Sequence, residues 1–325
     1  MNGKILVTGA SGFIGSHIVK ILLENKRDVR VAVRDLEKAD FLRQYGDFEI
    51  VQMDLLDEES VYRAVNGCQE VIHCAAALNI GVNNSQTEVV DPSVQGTKNL
   101  VAALSKSEVK SVIHTSSVAA IRPTKYVNGT TFGIEDWCDD ATIKSNPYGL
   151  AKVEAEKVIR NWAKNRDLRL VTIHPSVVFG RPLQKRHMEG SMSYLKHFLK
   201  GPPFVMDIHI NFVEVEDVAR AHVEALEKGK DRGRYLIHSG GMWMKDIGLM
   251  LRKEFPQRKW AIRKLPKVLA YGVALFHPKL RLKDLRESLG THVNYDASSQ
   301  FELIKELKSP ERVIVETMQI LLSQD

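Results

Sequence analysis

The chain has 325 residues, more than one compact core usually holds, yet no Gly/Ser/Pro-rich or low-complexity stretch divides it, so two intimately joined lobes are expected. No apolar run approaches the about 18 residues of a membrane span, and the opening MNGKILVTGA reads as a strand and not as a leader, which predicts a cytoplasmic protein. The net charge of +6 suits anionic small ligands, but aromatic and basic residues are not interleaved as in nucleic-acid modules, and Cys68, Cys74 and Cys138 have neither disulfide nor metal-ligand spacing.

Apolar β-rich runs at Lys4–Thr8, Val29–Val33, Glu49–Gln52, Glu70–His73, Ser111–Thr115 and Arg169–Ile173 alternate with stretches long enough for crossover helices. Runs apolar on both faces belong to parallel strands covered on both sides, so the fold class is α/β, a Rossmann-type doubly wound parallel sheet. Directly after the first run, Gly9-Ala10-Ser11-Gly12-Phe13-Ile14-Gly15 opens a helix over Phe13 to Glu24. In that strand-turn-helix context Gly9 permits the tight turn, Gly12 lets backbone approach a pyrophosphate, and Gly15 lets helix pack on strand, while the N–H groups from Ser11 to Gly15 face the phosphates.

The second run ends Val33-Arg34-Asp35. A carboxylate at this position accepts from an NAD ribose and repels a 2′-phosphate, whereas a guanidinium pairs with that phosphate and stacks beside adenine. Arg34 therefore favours NADP(H) as cofactor over NAD, with Asp35 as ribose acceptor the competing reading. After the third run, Asp54 and Leu55 are placed to flank adenine, although a helix N-cap is an equally ordinary task for Asp54.

At the end of the fifth run, Thr115-Ser116-Ser117 lies where ligands gather in an open parallel sheet, Thr115 beside the cofactor. Asn146-Pro147-Tyr148 then begins a helix on which Lys152 follows Tyr148 by one turn and shares its face. Reducing a carbonyl requires a proton for the developing alkoxide, and an ammonium beside a phenol stabilises the charge left when that phenol gives its proton up. Ser117 is expected to hold the carbonyl oxygen toward Tyr148, while Ser116 bonds nearby backbone. Of eight tyrosines only Tyr148 has a lysine four residues on.

Beyond His174-Pro175 the rhythm loosens into a strand near Ile208–Val213, a helix over Val215–Lys228, a strand at Arg234–His238 and a mostly helical remainder. Residues 1–174, with 210–238 returning, are assigned to the dinucleotide-binding domain; 175–209 and 239–325 form a smaller substrate-binding lobe. Met188, Met192, Tyr194, Phe198, Phe204 and Met206 either line an apolar substrate pocket or form that lobe's core. Arg181, Lys185 and Arg186 are candidates for an anionic handle on the substrate, or exposed loop charge. Basic residues between Arg252 and Arg286 flank the apolar Val268–Phe276, which reads as a solvated helical face before a membrane-docking one.

TGxxGxxG at Thr8–Gly15, the Ser-Ser step and YxxxK at Tyr148–Lys152, in this order, make the whole chain resemble the extended short-chain dehydrogenase/reductases. It looks closest to the dihydroflavonol 4-reductase, cinnamoyl-CoA reductase and aldehyde reductase branch, through Val29–Asp35, Asp91–Thr97, Asp136-Trp137-Cys138 and Phe212–His222. The resemblance implies that Ala75, Ala76 and Ala77 line the cofactor, that Pro175 to Val178 lie against the nicotinamide, and that Tyr148 and Lys152 touch the cofactor too. It implies NADPH-dependent reduction of an apolar or aromatic aldehyde or ketone, and leaves open a homodimer through Asp91–Lys106 and Pro147–Lys164. Ser93 stands where several relatives carry an active-site asparagine, which puts a proton relay from that helix in doubt.

Dehydration is disfavoured, because Thr115-Ser116-Ser117 lacks the carboxylate that elimination needs. An NAD-dependent sugar-nucleotide epimerase, a hydroxysteroid dehydrogenase/isomerase and a non-catalytic NADP-sensing protein remain the alternatives. His73, His114, His174 and His238 fall near strand carboxyl ends without short-range ligand pairs, so packed histidines bonded to backbone are expected and no metal site is assigned.

Overall fold

A computed structural model of the chain describes residues 3–75, 84–201, 203–276 and 288–323. The strands are β1 (Ile5–Thr8), β2 (Val29–Val33), β3 (Glu49–Gln52), β4 (Glu70–His73), β5 (Ser111–Thr115), β6 (Thr131–Phe132), β7 (Arg169–Pro175), β8 (Val177–Phe179), β9 (Phe204–Val205), β10 (His209–Glu214), β11 (Arg234–Ile237), β12 (Gly240–Trp243), β13 (Arg263–Lys264) and β14 (Asn294–Tyr295). The helices are α1 (Phe13–Glu24), α2 (Glu58–Val65), α3 (Asp91–Leu104), α4 (Pro147–Ala163), α5 (Ser193–Leu199), α6 (Val215–Lys228), α7 (Met244–Glu254), α8 (Lys267–Phe276) and α9 (Pro310–Ser323).

Seven strands form one parallel sheet in the order β11-β7-β5-β4-β1-β2-β3. Successive side chains of a strand point to opposite faces, and in β1 both faces are covered. Ile5 and Val7 pack with Ile18 and Leu22 of α1 and Val218, Ala221 and Ala225 of α6. Leu6 enters the opposite layer, among Val61 of α2, Leu100 of α3 and Ile159 of α4. The chain leaves β1 toward β2 and β3, then returns to build β4 and β5 on the other side, so the order reverses between β1 and β4. The carboxyl ends of these two strands bound the crevice in which ligands of such sheets lie.

One expected return is corrected. Of the segment 210–238, β11 joins the main sheet beside β7, but β10 lies in a separate three-stranded sheet, parallel to β8 and antiparallel to β12. Its Ile210 and Phe212 belong to another core, with Phe179, Met192, Phe198, Ile247, Ile314 and Met318. Met192 and Phe198 are therefore core, and Met188 packs against that core, whereas Tyr194 and Phe204 are both 39 % exposed. Met206 packs beside Ala270 and Leu289.

The C-terminal residues also reach back, since β14 pairs in parallel with β6, and Val293 packs with Ile121, Phe132 and Leu236. In the basic stretch from Arg252, residues 277–287 lie outside the described residues. Within the rest, α8 exposes Val268 and Leu269 to solvent, a more apolar surface than a solvated basic face, and Lys264 pairs with Asp207 at 2.6 Å. Among the described residues no helix is long and apolar enough to cross a membrane.

Candidate active site

The loop after β1 leaves no room for a side chain at Gly9 or Gly15. Gly9 has φ +64°, and a Cβ there would meet the Ala75 nitrogen at 2.7 Å; a Cβ on Gly15 would come within 2.3 Å of the Gly9 carbonyl. The Gly12 N–H donates to that carbonyl at 2.9 Å and closes the turn. Gly12 precedes α1 without a side-chain cap, and the first turn carries no acid, so the positive end of the helix is left facing the crevice. Thr8 ties the loop to β4, its hydroxyl 2.8 Å from His73 Nδ1 and accepting the Ala75 N–H at 3.2 Å. Ala76 and Ala77 lie outside the described residues.

At the end of β2, Arg34 is exposed, and its guanidinium has no hydrogen-bond or ion-pair partner among the described residues. Asp35 is neutralised by its neighbours, with Lys38 Nζ at 3.3 Å and Arg186 close enough for its charge to be felt. Arg186 donates to the carbonyls of both Ser11 and Lys38, at 2.9 and 2.8 Å, and His187 Nε2 lies 3.0 Å from the same Ser11 oxygen with its ring beside Phe13 and Phe41. Arg186 thus clamps the phosphate loop to the segment after β2; Arg181 and Lys185 are exposed. A donor set of helix N–H groups and cations with a screened carboxylate fits a dinucleotide that carries a 2′-phosphate. Sequence reasoning missed Lys38 and the placement of Arg186, whose contacts are long-range.

Asp54 is exposed and bonds the Leu56 N–H at 2.9 Å, and the N-cap of α2 is Asp57, which accepts from Glu59 and Ser60; this corrects the capping alternative for Asp54. Asn99 donates to the Leu55 carbonyl at 2.7 Å, and Gly96 leaves room for the Leu55 side chain, which fixes that residue beyond β3.

Tyr148 and Lys152 stand one turn apart at the start of α4, which Asn146 caps by accepting the Gly149 N–H at 2.9 Å. Lys152 Nζ lies 6.0 Å from the Tyr148 ring centroid and reaches the Thr115 carbonyl at 3.5 Å. The helix is thereby joined to the end of β5. Tyr148 is half-buried, and its hydroxyl makes no hydrogen bond to the described residues. Ser117 accepts the Ala119 N–H at 3.1 Å, which leaves its own proton free to donate. The Thr115 hydroxyl is spent elsewhere. His222 Nδ1 must donate to the Val218 carbonyl at 2.8 Å, so its bare Nε2 receives the Thr115 proton at 2.8 Å. Burial pushes His222 down to about 4, consistent with a neutral ring.

Beneath the serines lies a buried charge network that the sequence reading did not find. Ser116 donates to Glu156 at 2.9 Å, not to backbone; His174 Nε2 lies 2.7 Å from the same carboxylate, and Arg234 Nε donates to its other oxygen at 2.8 Å. Burial opposes the charge on Glu156, but the adjoining His174 and Arg234 overcome it and hold the carboxyl below its ordinary range. Burial lowers His174 while the Glu156 carboxylate raises it, and Arg234 supplies a permanent compensating charge. Arg234 also stacks on Trp137, 3.9 Å from the ring centroid, and donates to the carbonyls of Ile134 and Asp136. Glu156 is two turns beyond Tyr148 on α4, so the network anchors that helix to β7 and β11.

Of the remaining strand-end histidines two meet side chains, and His238 also has the expected backbone contact, with Phe212. His73 reaches Thr8, and His238 Nδ1 lies 3.2 Å from Ser176 Oγ. His114 stacks on His73 with centroids 5.5 Å apart, and neither of its nitrogens has a hydrogen-bond partner among the described residues. Among the described residues no three His, Cys, Asp or Glu side chains converge as a metal site. Ser93 donates to the Val89 carbonyl at 2.7 Å within its own helix. Pro175 and Val178 are buried at the end of β7 and in β8, and the Val178 carbonyl accepts from Ser191 at 2.6 Å.

The pattern of the NAD dependent epimerase/dehydratase family matches residues 5–237. Cinnamoyl-CoA reductase 1 of Petunia hybrida is 34 % identical over 271 residues, 79 % of this chain and 79 % of that protein. Anthocyanidin reductase of Arabidopsis thaliana is 30 % identical over 276 residues, 78 % of this chain and 81 % of that protein. The crystal structure of Gre2 from Candida albicans in complex with NADPH superposes with a TM-score of 0.82 at 26 % identity, covering 99 % of each chain.

Proposed function

Because the chain belongs to the NAD dependent epimerase/dehydratase family, we propose that it reduces an aldehyde or ketone with Tyr148 as proton donor, Ser117 as the carbonyl's hydrogen-bond donor and Lys152 as the charge that supports both. It is an NADP-dependent oxidoreductase: the relatives at 30–34 % identity bear reductase names, and Gre2, at 26 %, is described with NADPH. When bound, the reduced nicotinamide supplies a hydride to the carbonyl carbon. The chain's own residues do the rest.

Ser117, with its lone pair held by the Ala119 N–H, directs its proton at the carbonyl oxygen. The Tyr148 hydroxyl, which has no protein partner among the described residues, gives its proton to the same oxygen as negative charge develops there. Lys152, held near both Tyr148 and the Thr115 carbonyl, stabilises the phenolate that remains. Arg34, with Lys38 and Arg186 screening Asp35, receives the 2′-phosphate. Pro175 and Val178 form an apolar wall that excludes water from the reacting carbon.

The observation that carries this reading is the attachment of Lys152 to the Thr115 carbonyl, which joins the Tyr-Lys pair to the strand end that bears Ser117. Stopped-flow oxidation of NADPH across a panel of aldehydes and ketones tests it. Tyr148→Phe should lower kcat by about a hundredfold to ten-thousandfold, the usual worth of a positioned acid, while NADPH still binds. Retained turnover in that variant removes the proton donor. A wild-type protein that leaves every carbonyl untouched and epimerises a nucleotide sugar removes the reductase reading altogether.

A further inference from the structure

Exposed apolar side chains and exposed cations meet on one surface of the second lobe. Its frame is a two-stranded ribbon that leads directly into a helix. In it β13 pairs in parallel with β9, Arg263 opposite Phe204, and α8 begins three residues after β13 ends. Paired residues of a ladder project from the same face, so Phe204, 39 % exposed, and the exposed Arg263 stand side by side. Lys267 opens α8, followed by Val268 and Leu269, which are 80 % and 56 % exposed. The opposite face of the helix rests on a small core, where Ala270 meets Leu289 and Met206, Leu265 and Tyr271 pack against them. At the start of the ribbon the turn at Gly201 lies against the Lys259 carbonyl, which brings the exposed Lys200 and Lys259 to the same edge.

The charge here is not balanced from within. Between Arg252 and Tyr271 the sequence carries seven Lys or Arg against one acid, an excess equal to the net charge of +6 of the whole chain. Asp207 takes up Lys264 at 2.6 Å, but Lys200, Lys259, Arg263 and Lys267 have no ion pair among the described residues. No residue from Val268 to Phe276 is charged, so the outer face of α8 can enter an apolar medium without stripping water from an ion. A single exposed apolar residue is ordinary. Three of them rimmed by unpaired cations are the pattern of a helix that lies in a membrane interface. The sequence alone favours a solvated face, and the exposure of Val268 and Leu269 reverses that choice. Both are aliphatic and give a nucleic-acid base no ring to stack on, and Val268 protrudes where the anchor of a protein partner would require a recess.

We propose that this surface docks the protein on an anionic lipid membrane, with Phe204, Val268 and Leu269 entering the headgroup layer and Lys200, Lys259, Arg263 and Lys267 meeting the lipid phosphates and carboxylates. The attachment is peripheral, with α8 lying along the interface. Each cation close to a negatively charged leaflet strengthens binding by about fivefold and loses that contribution as salt rises. The apolar side chains add a part that salt does not remove. None of this depends on the reductase reading, because lipid binding is measured without turnover.

Co-sedimentation of the full chain with vesicles is the test. Phosphatidylcholine vesicles containing about one third phosphatidylserine should bind it at least about tenfold more tightly than phosphatidylcholine alone. Raising the salt from about 0.1 M to about 0.5 M should weaken that binding by about tenfold or more. Arg263→Glu with Lys267→Glu should reduce binding to the level of phosphatidylcholine alone. Val268→Ser with Leu269→Ser should weaken it by about tenfold to a hundredfold and leave thermal melting unchanged, since both positions are exposed. Hydrogen exchange of the wild type locates the contact without any substitution: residues 263–272 should gain protection on the anionic vesicles. No binding to either vesicle, equal binding to both, or protection confined to other segments overturns the proposal. Undiminished binding by the serine variant overturns it as well, and capture by polyglutamate or double-stranded DNA at the same affinity would then assign the surface to an acidic macromolecule.

Discussion

Glu156→Gln is the perturbation that bears most directly on how α4, the helix of Tyr148 and Lys152, is held. The substitution keeps the shape of the side chain and removes one charge, leaving Arg234, only 8 % exposed, with no carboxylate among its partners. Breaking a buried ion pair from one side costs about 3–5 kcal/mol, because the surviving charge has been taken out of water and is no longer compensated. The stack on Trp137 and the carbonyls of Ile134 and Asp136 remain, which places the expected loss at the lower end. At about 2–3 °C per kcal/mol for a chain of this size, a loss of about 3 kcal/mol should lower the melting temperature by roughly 6–9 °C. Differential scanning calorimetry near neutral pH measures this, and NADPH titration of the same variant should give a Kd within about threefold of wild type, since the network lies beneath the serines. The Glu156 carboxyl is held below its unfolded value, so its contribution is present above that value and fades as pH falls below it. A melting temperature within 2 °C of wild type, a drop of less than about 1 kcal/mol, would show that Arg234 is compensated by other means and would refute the argument.

Two further outcomes follow from the same contacts. Arg34→Ala should weaken NADPH binding by about tenfold to a hundredfold while leaving NADH affinity nearly unchanged; fluorescence titration with both cofactors measures it, and equal losses would end the phosphate role. Burial lowers His17, His222 and His238 to about 4 and His73 to about 3, so these rings stay neutral in the folded chain while the unfolded chain protonates them below about 6.5. Their stabilisation is complete above that pH, and each loses about 1.4 kcal/mol on going to pH 5.5. Glu214, raised to about 7 chiefly by burial, works the other way, gaining stability as pH falls through 7, but it is one group against four. Thermal melts from pH 7.5 to 5.5 should therefore show falling stability, and a flat or rising profile would contradict the burial of these rings.

The parallel strands were legible because strands covered on both faces read as unbroken apolar runs, and the bounds expected for β2 to β5 match those observed. The strand near Ile208–Val213 was legible as a strand but not as a partner, since Ile210 and Phe212 suit either sheet and only the position of β8 decides. The glycines of the phosphate loop and the Tyr148–Lys152 pair were legible because their chemistry fixes a local spacing. Glu156 with Arg234 and Arg186 with Ser11 were not. Each joins residues far apart in the chain through an ordinary charged side chain, and no local pattern marks which charges the fold will bury.

The pairing of β6 with β14 has a consequence for synthesis. Its strands come from the first half and the last tenth of the chain, so the loop between them must be closed before either gains a neighbour. A growing polypeptide can complete the large sheet once β11 has left the ribosome. The partner of β6 waits for the last tenth of the chain, and an incompletely translated chain would present a finished seven-stranded sheet with β6 still unpaired.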